Sequence, residues 1–380
     1  MSAPQVIVAG LGAMGSAAAS ALARRGVRVL GLDLRRPPHD RGSSHGESRI
    51  LREAYFEHPL YVPLVRRALG LWRDLEQRSG RPLLRTTGVL LVSRPGSELI
   101  DGARRSCEQH DVPCESLTGA EIRRRYPVMS PAEEAIGLYE PGGGVLDPGA
   151  CIASLLDEAA AAGAELRFDE ALVRWTATTD SVDVVTTRSH YGASRLLLAA
   201  GAWIPALTPG LPLQVERQVQ HWFEAPDRGP FSIGALPAFL FEETAETVWY
   251  GVPDLGRGLK VAIHHGGDRT TADALDRNVA ERDVEAVRRL LHARMPAIDR
   301  PPSRSSVCMY TNTPDGHFLI DQHPDAPSVL VVSACSGHGF KFASAIGELA
   351  ADWVSGVPGA LRLEPFRLDR PMLSGGGGGR

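Results

Sequence analysis

The sequence predicts an α/β fold of two interleaved domains, one built on a parallel sheet and the other an α+β domain with a largely antiparallel sheet. A strand, a glycine-rich turn, a helix and a second strand open the chain, which is the pattern of a βαβ unit. Apolar strands return at residues 195–200 and 329–334, whereas residues 214–260 carry aromatic side chains in strand-like stretches. At 380 residues, the chain also exceeds the roughly 100–200 residues of a single domain.

The opening unit predicts a dinucleotide site. A strand over residues 5–9 leads into the turn, a helix follows over 16–25, and the second strand, over 27–32, ends at Asp33. The turn has the pattern G-x-G-x-x-G, formed by Gly10, Gly12, Ala13, Met14 and Gly15. Glycines let the backbone approach a pyrophosphate at the helix N-terminus, and the Asp33 carboxylate can accept hydrogen bonds from ribose hydroxyls. The pattern does not decide which dinucleotide binds, although the acid argues against NADP.

The remaining elements follow in order. A helix with its apolar residues at 64–75 ends at Gly80, residues 87–92 read as a strand, and a glycine-rich break at 141–144 precedes a helix over 148–162. Next come several strands over 166–200 and the aromatic strands. A helix with its apolar residues at 284–291, which stops at Pro296, a strand over 329–334 and a helix over 342–354 follow. They divide it into a nucleotide-binding domain (1–85, 146–212 and 311–372), a second domain (86–145 and 213–310) and a disordered tail (373–380).

Composition excludes some partners. A net charge of −4 and a pI near 6.3 provide no basic field for nucleic acid or an anionic membrane. Five cysteines without a C-x-x-C pair favour free thiols in a reducing cytoplasm, and neither a signal peptide nor a membrane span is expected. The aromatic side chains between Trp222 and Tyr250 either line a pocket or fill the core of the second domain.

Lysine usage is unusual. Among 41 lysines and arginines, only Lys260 and Lys341 are lysines. One interpretation is compositional drift toward arginine with two chance survivors. The other is that these two sites need a compact, titratable ammonium that a guanidinium cannot replace.

A polar stretch over residues 42–52 follows the second strand closely enough to reach a bound cofactor. It contains Ser43, Ser44, His45, Arg49 and Arg52. A solvated surface loop would have much the same composition, so this pattern alone leaves both interpretations open.

Longer strings carry a resemblance. They are the glycine-rich turn with Asp33, Pro37-Pro38-His39, the G-S-x-H-G-x-x-R-x-x-R run ending at Arg52, Tyr61-Val62-Pro63-Leu64, Ala200-Gly201-Ala202-Trp203, Tyr250-Gly251-x-Pro253, Lys260, the run 308–315 (CMYTNTPD) and the run 336–342 (SGHGFKF). Together they resemble the family of monomeric sarcosine oxidases and N-methyltryptophan oxidases over residues 5–370. The last two strings are specific to that family, whereas the first occurs in many dinucleotide-binding proteins.

The resemblance implies a Rossmann-like FAD-binding domain and a substrate domain. It implies that FAD is attached covalently through a thioether to Cys308, a reaction that needs a thiolate. It also implies that Arg52 and Lys341 hold the carboxylate of the substrate, and that the Lys260 cation promotes reduction of O2. Both lysines that the composition singles out therefore match functional positions.

Further site residues follow from the same resemblance. His45 and Arg49 match residues beside the flavin ring, and Tyr250, His264 and Tyr310 match residues of the substrate pocket. Cofactor contacts are implied for Ser43, Ser44, Gly201, Gly337, Gly339, Phe340 and Lys341. The neighbouring His265 is expected to point away on a strand, and no metal site is expected.

The implied reaction is oxidation of a small N-methyl amino acid by hydride transfer to FAD, with O2 reduced to H2O2 and an imine hydrolysed to release formaldehyde. The partners are the substrate and O2, and a cytoplasmic monomer is expected. An oxidase or dehydrogenase of a cyclic imino acid, such as pipecolate or proline, is one alternative, and a flavin-containing protein without catalysis is another. Ser44, Glu47 and Glu53 replace the His, Asp and His usual in the family, which puts the tuning of the flavin environment in question.

Overall fold

The computed structural model describes residues 4–357 and 364–371. Its helices are α1 Ala13–Arg24, α2 Tyr61–Ser79, α3 Glu98–His110, α4 Gly119–Arg125, α5 Pro148–Ala161, α6 Ile204–Leu207, α7 Glu281–Arg294 and α8 Ala343–Ser355. Its strands are β1 Val6–Ala9, β2 Val29–Leu32, β3 Arg49–Leu51, β4 Leu84–Thr86, β5 Val89–Ser93, β6 Glu115–Thr118, β7 Ile136–Glu140, β8 Gly144–Leu146, β9 Glu165–Arg167, β10 Leu172–Ala177, β11 Val182–Thr186, β12 His190–Ala193, β13 Arg195–Leu198, β14 Gln214–Phe223, β15 Ala238–Thr244, β16 Thr247–Val252, β17 Leu259–His264, β18 Arg269–Thr270, β19 Arg304–Asn312, β20 Leu319–His323 and β21 Ala326–Ser333.

The first sheet has the strand order β20-β21-β13-β1-β2-β9, and only β20 pairs in antiparallel fashion. Strand β1 is buried throughout because both faces of the sheet are covered. Val6 and Val8 pack with residues of α1 and α8 on one face, and Ile7 and Ala9 pack with the β10-β11-β12 sheet on the other. The carboxyl ends of β1 and β21 therefore lie at one edge, where ligands of such sheets bind.

The helices on this sheet pack closely against one another. Helix α1 is rich in alanine and lies between α5 and α8, because small side chains permit short distances between helix axes. Gly347 of α8 faces Ala17 of α1, and a Cβ atom at position 347 would lie 2.5 Å from the Ala17 carbonyl carbon. This contact requires glycine at position 347.

The second large sheet has the path β18-β14-β17-β16-β15-β5-β7-β6, with β19 paired to β14, and only β15 and β5 are parallel neighbours. One face packs against α4 and α7. The opposite face carries Leu240, Tyr250 and Lys260 and forms one wall of a large cavity. The structure answers the question about the aromatic stretch: Trp222 and Tyr250 line the cavity, and the others fill the core, namely Phe223, Phe231, Phe239, Phe241 and Trp249.

The predicted fold class is confirmed in its main features. Helix α2 ends at Gly80, which has the left-handed φ of 65° that a glycine C-cap provides. Helix α1 begins at Ala13 rather than at residue 16, because the last residues of the glycine-rich turn are already helical. The domain boundaries remain predictions, and the predicted tail over 373–380 lies outside the described residues. In the described ranges, every helix is too short or too polar to cross a bilayer.

The close contact between α1 and α8 leads to a stability prediction. Gly347→Val should lower the free energy of unfolding by about 1–3 kcal/mol, because the new side chain must displace the backbone around Ala17. Urea unfolding of the FAD-loaded protein measures the change. Gly70→Ala in α2 is the matched control: a Cβ there meets no described atom within 4 Å, so helix propensity should raise the stability by up to about 1 kcal/mol. Equal stability of Gly347→Val and the wild type would contradict the packing argument.

Candidate active site and cofactor cleft

A cavity of about 1270 Å³ lies between the carboxyl edge of the first sheet and the inner face of the second. This volume exceeds the roughly 300–1,000 Å³ of a site for one small ligand, so it has room for a cofactor and a substrate together. Its lining includes the predicted site residues except Gly15 and Cys308. Gly15 packs against the Gly10 carbonyl, and the Cys308 thiol contacts the Ser43 carbonyl.

The nucleotide end of the cavity is formed by the β1–α1 turn. Gly10 has a φ of 89°, and a Cβ at Gly15 would lie 1.7 Å from the Gly10 carbonyl oxygen, so both positions need glycine. The Asp33 carboxylate accepts hydrogen bonds from the backbone N–H of Leu11 at 2.7 Å and of Arg35 at 3.0 Å. Asp33 therefore also fixes the turn, in addition to the ribose contact that the sequence predicts.

The middle of the cavity contains unpaired polar groups. Among the described residues, the Ser43 hydroxyl, His45 Nε2, Gln220 Oε1 and the Ser333 hydroxyl are buried without a hydrogen-bond partner. An unpaired buried polar atom costs about 1–3 kcal/mol, so such a cluster in a cavity wall indicates a polar ligand. These atoms, together with the glycine cradle, fit a bound FAD.

Cys308 lies on β19 with 1% of its surface exposed, beside the loop that carries His45 and Arg49. The Arg49 guanidinium donates to the carbonyls of Ser43 at 2.8 Å, His45 at 2.6 Å and Ser48 at 2.7 Å. Burial raises the pKa of the Cys308 thiol, but the proximity of His45 and the charge of Arg49 outweigh it and lower the pKa to about 7. This shift favours the thiolate form of Cys308.

Lys260 is the buried lysine on the inner face of the second sheet. Its ammonium, 2% exposed, donates to the Gly46 carbonyl at 2.7 Å and to the Ser48 carbonyl at 3.1 Å. It also lies 5.6 Å from the centroid of the Trp222 ring. Burial, followed by the charge of Arg49, lowers the pKa of Lys260 well below its usual value.

Arg52 and Lys341 meet around Tyr55. The Arg52 guanidinium lies 4.3 Å from the centroid of the Tyr55 ring and donates to both oxygens of Glu57, at 3.0 and 2.8 Å. The Lys341 ammonium donates to the His338 carbonyl at 2.7 Å and to the Tyr55 hydroxyl at 3.3 Å. Burial and the charge of Arg52 lower the pKa of Lys341 to about 7. Two cations next to one cavity can bind a ligand carboxylate.

Tyr250, His264 and Tyr310 form the wall next to these cations. His264 Nδ1 lies 3.3 Å from the Tyr310 hydroxyl, and the rings of Tyr250 and His264 meet edge to face with centroids 6.4 Å apart. Burial lowers the pKa of His264 well below its usual value and raises the pKa of both tyrosines. All three side chains are therefore neutral at neutral pH.

The expected orientation of His265 is wrong. Its ring lies 4.2 Å from that of His264 and 5.2 Å from that of Tyr310, and its Nδ1 lies 3.6 Å from Glu216. A φ of 65° at His265 turns the chain, so the alternation of a strand no longer separates the two histidines. Over residues 4–357 and 364–371, no group of three or more His, Cys, Asp or Glu side chains could hold a metal ion.

The turn between β21 and α8 closes the cavity. Gly337 has a φ of 77°, and a Cβ there would lie 2.7 Å from the His264 ring and 2.9 Å from the Tyr310 ring. A Cβ at Gly339 would lie 1.8 Å from the Ala334 carbonyl oxygen. Phe340 stacks on Trp72. Gly201, with a φ of 54°, follows β13 at the same edge of the first sheet.

Sequence reasoning missed several residues that line the cavity or contact its cations. Glu57 and Tyr55 contact the Arg52 and Lys341 cations, and both follow Arg52 so closely in the chain that its neighbourhood could have suggested them. Gln220 comes from β14 and carried no local signal. Its position depends on the pairing of β14 with β19, which joins residues far apart in the chain.

Comparisons with known proteins agree with this geometry. The family described as FAD dependent oxidoreductase matches residues 5–353. The chain is 42% identical to the monomeric sarcosine oxidase of Streptomyces avermitilis, covering 91% of this chain and 92% of that protein. It is 35% identical to an N-methyl-L-tryptophan oxidase of Yersinia pestis, covering 96% of this chain and 98% of that protein.

Solved structures share the fold. NikD, titled an unusual amino acid oxidase essential for nikkomycin biosynthesis, superposes with a TM-score of 0.85 at 24% identity, covering 97% of this chain and 98% of that one. L-proline dehydrogenase from P. horikoshii superposes with a TM-score of 0.84 at 19% identity, covering 96% of each chain. The family match supplies the cofactor, FAD, for the glycine cradle and the unpaired polar atoms described above. The resemblance inferred from the sequence strings is thereby confirmed, and the chain belongs to the family of FAD dependent oxidoreductases.

Proposed function

We propose that this oxidoreductase is an amine oxidase that acts on an N-methyl amino acid of the sarcosine or N-methyltryptophan class. Its products are H2O2 and an imine that hydrolyses with release of formaldehyde. The observation that carries the proposal is the arrangement of three buried cations around one cavity: Arg52 and Lys341 together, and Lys260 separately. The names of the two relatives described above support the same reaction class.

The chain's residues fit a covalently held FAD. The turn at Gly10–Gly15 would bind the pyrophosphate, and Asp33 would accept hydrogen bonds from the ribose. The Cys308 thiolate would form the covalent link to the flavin, with His45 and Arg49 beside it. When bound, FAD supplies a two-electron acceptor for hydride and a reductant for O2. The protein's own task is to bind, orient and neutralise charge around that group.

Arg52 and Lys341 would bind the substrate carboxylate, one as a planar fork and the other as a point charge. This requirement favours amino acids over plain amines. The same two cations, with burial, lower the pKa of an amine held next to them, so the substrate nitrogen would be neutral and ready for oxidation. Neutral Tyr250, His264 and Tyr310 would orient it without adding charge.

Lys260 would act on oxygen. The first electron that reaches O2 creates a negative charge, and a fixed cation in a buried site stabilises that charge strongly. Two backbone carbonyls hold the ammonium, which gives it a defined position before O2 arrives. An alternative substrate, a cyclic imino acid of the proline or pipecolate type, would use the same carboxylate site. A panel of N-methyl amino acids and cyclic imino acids with peroxide detection distinguishes the two substrate classes.

The first prediction concerns the covalent link. After acid precipitation of the wild-type holoenzyme, the yellow colour should stay with the protein pellet, because Cys308 holds the flavin. Cys308→Ala should release the colour into the supernatant. Cys335→Ala is the matched control, since Cys335 is a second thiol beside the cavity, and it should keep the colour. Colour that leaves the wild-type pellet would refute the tether.

The second prediction separates the two lysines. Lys260→Met should slow the reaction of the reduced enzyme with O2 by about 10²–10³-fold, as loss of a buried charge-stabilising group does. Its anaerobic reduction by N-methyl amino acids should change little. Lys341→Met is the control with the other lysine changed. Its anaerobic reduction by the amine should be slow, and its reaction with O2 should change little. Stopped-flow absorbance of the flavin measures both half-reactions, and an equal loss in both for Lys260→Met would refute its assigned role.

The third prediction concerns pH. Lys341, with its pKa lowered to about 7, is charged below that pH and neutral above it. A simple carboxylate without an amine, such as propionate, should therefore bind the free enzyme more weakly as pH rises through 7, by up to about tenfold per unit. Titration of the flavin spectrum with propionate from pH 6 to 9 measures this affinity. Lys341→Met should bind propionate weakly at every pH. A pH dependence of propionate affinity as steep as in the wild type would contradict the assignment.

A further inference from the structure

The loop that holds Lys260 has an unusual backbone at Glu47. The Ser48 N–H donates to the Gly46 carbonyl at 2.8 Å across Glu47, which has a φ of 67°. This is the pattern of the rare, strained form of the γ-turn. The carbonyls of Gly46 and Ser48, on either side of Glu47, are the two acceptors of the Lys260 ammonium. The strained residue therefore lies between the two groups that orient this cation.

Strain of this kind persists only when the surroundings impose it. The Glu47 carboxylate accepts from Arg257 at 2.7 Å and from both terminal nitrogens of Arg304, at 2.8 and 2.7 Å. Burial opposes its ionisation, but the two arginines lower the pKa of Glu47. We call Glu47, Arg257 and Arg304 the Glu47 latch.

The Glu47 latch joins the loop to the strands that carry Lys260 and Cys308. Arg257 lies in the turn just before β17, and Arg304 is the first residue of β19. Trp222 of β14 is the cross-strand partner of both Lys260 and Arg304, and the Arg304 guanidinium lies 3.9 Å from the centroid of its ring. The ion pairs and the ammonium site are thus connected through one side chain.

A second contact limits the loop from the inside. A Cβ atom at Gly46, which has a φ of 105°, would lie 2.0 Å from Gln220 Oε1. The loop is therefore packed against β14 on one side and held by the Glu47 ion pairs on the other. Loss of the Glu47 ion pairs would allow the Gly46 and Ser48 carbonyls to turn away from the ammonium, because the relaxed backbone of a non-glycine residue avoids a positive φ.

We propose that Glu47 is a positioning residue for Lys260: its ion pairs with Arg257 and Arg304 keep the Gly46 and Ser48 carbonyls directed at the ammonium. The inference rests on the proposed role of Lys260 in oxygen reduction. The charge-stabilising effect of a fixed cation depends on its distance from the reacting atoms, and a displacement of about 1 Å can cost up to 10²-fold in rate. Glu47 acts on the Lys260 ammonium through the backbone of the loop.

The test uses the holoenzyme and compares Glu47→Gln with the wild type. The variant keeps the size of the side chain and loses its charge. We expect kcat/KM for O2 to fall by about tenfold, with kcat/KM for the amine and the rate of anaerobic reduction within about twofold. Glu47→Asp retains the charge and should recover most of the oxygen reactivity. Asp268→Asn, which breaks the exposed ion pair with Arg282, is the matched control and should behave as the wild type.

Amine labelling gives an independent readout. Since Lys260 and Lys341 are the two lysines of the chain, reductive methylation followed by peptide mass spectrometry reports each ammonium separately. Glu47→Gln should raise the labelling rate of Lys260 relative to Lys341 by about tenfold, because the ammonium loses its carbonyl acceptors.

Two results decide the inference. Unchanged oxygen reactivity in Glu47→Gln, in the presence of a slow Lys260→Met variant, overturns it. If Lys260→Met reacts with O2 as fast as the wild type, the proposed role of Lys260 fails instead. The labelling ratio alone then decides whether Glu47 positions the ammonium: an unchanged ratio overturns the inference, and a raised ratio supports it.

Discussion

The burial of cations in one cavity wall is the constraint on which the rest of the site depends. Removing Arg52, Lys260 and Lys341 from water is costly unless each finds acceptors in the protein. Each does, and the acceptors come from distant parts of the chain: Lys260 binds carbonyls of the loop before β3, and Lys341 bonds with Tyr55. Residues 43–57, which include β3, supply most of these partners.

The segment over residues 43–57 is also held by hydrogen bonds from β7 and α3. The Glu140 carboxylate, at the end of β7, accepts the backbone N–H groups of Glu53 and Ala54, and Ser106 of α3 donates to the Tyr55 carbonyl. Strand β7 and helix α3 thus help to fix the backbone next to Arg52. Glu53, where a His is usual in the family, forms an ion pair with Arg66 on α2, while its backbone N–H donates to Glu140.

Sequence reasoning succeeded where the chemistry is local or rare. The turn at Gly10 with Asp33 is a short-range pattern, and the structure has the predicted strand, glycine turn, helix and second strand. The two lysines stood out by composition, and both line the cavity. His265 was misjudged because strand alternation was assumed at a residue whose positive φ ends the strand. Gln220 was missed, since an unpaired buried oxygen is visible only when the surrounding strands are assembled.

By itself the sequence determined the dinucleotide-binding unit, the fold class, the family and the residue types available for chemistry, because these depend on short patterns and on side-chain identity. Only the tertiary structure decided which aromatic residues face the cavity, which groups pair with Arg52, and how Glu47 reaches Arg257 and Arg304. These contacts join residues far apart in the chain. Their geometry follows from strand register and from the balance between desolvation and pairing of buried charge, which no local pattern encodes.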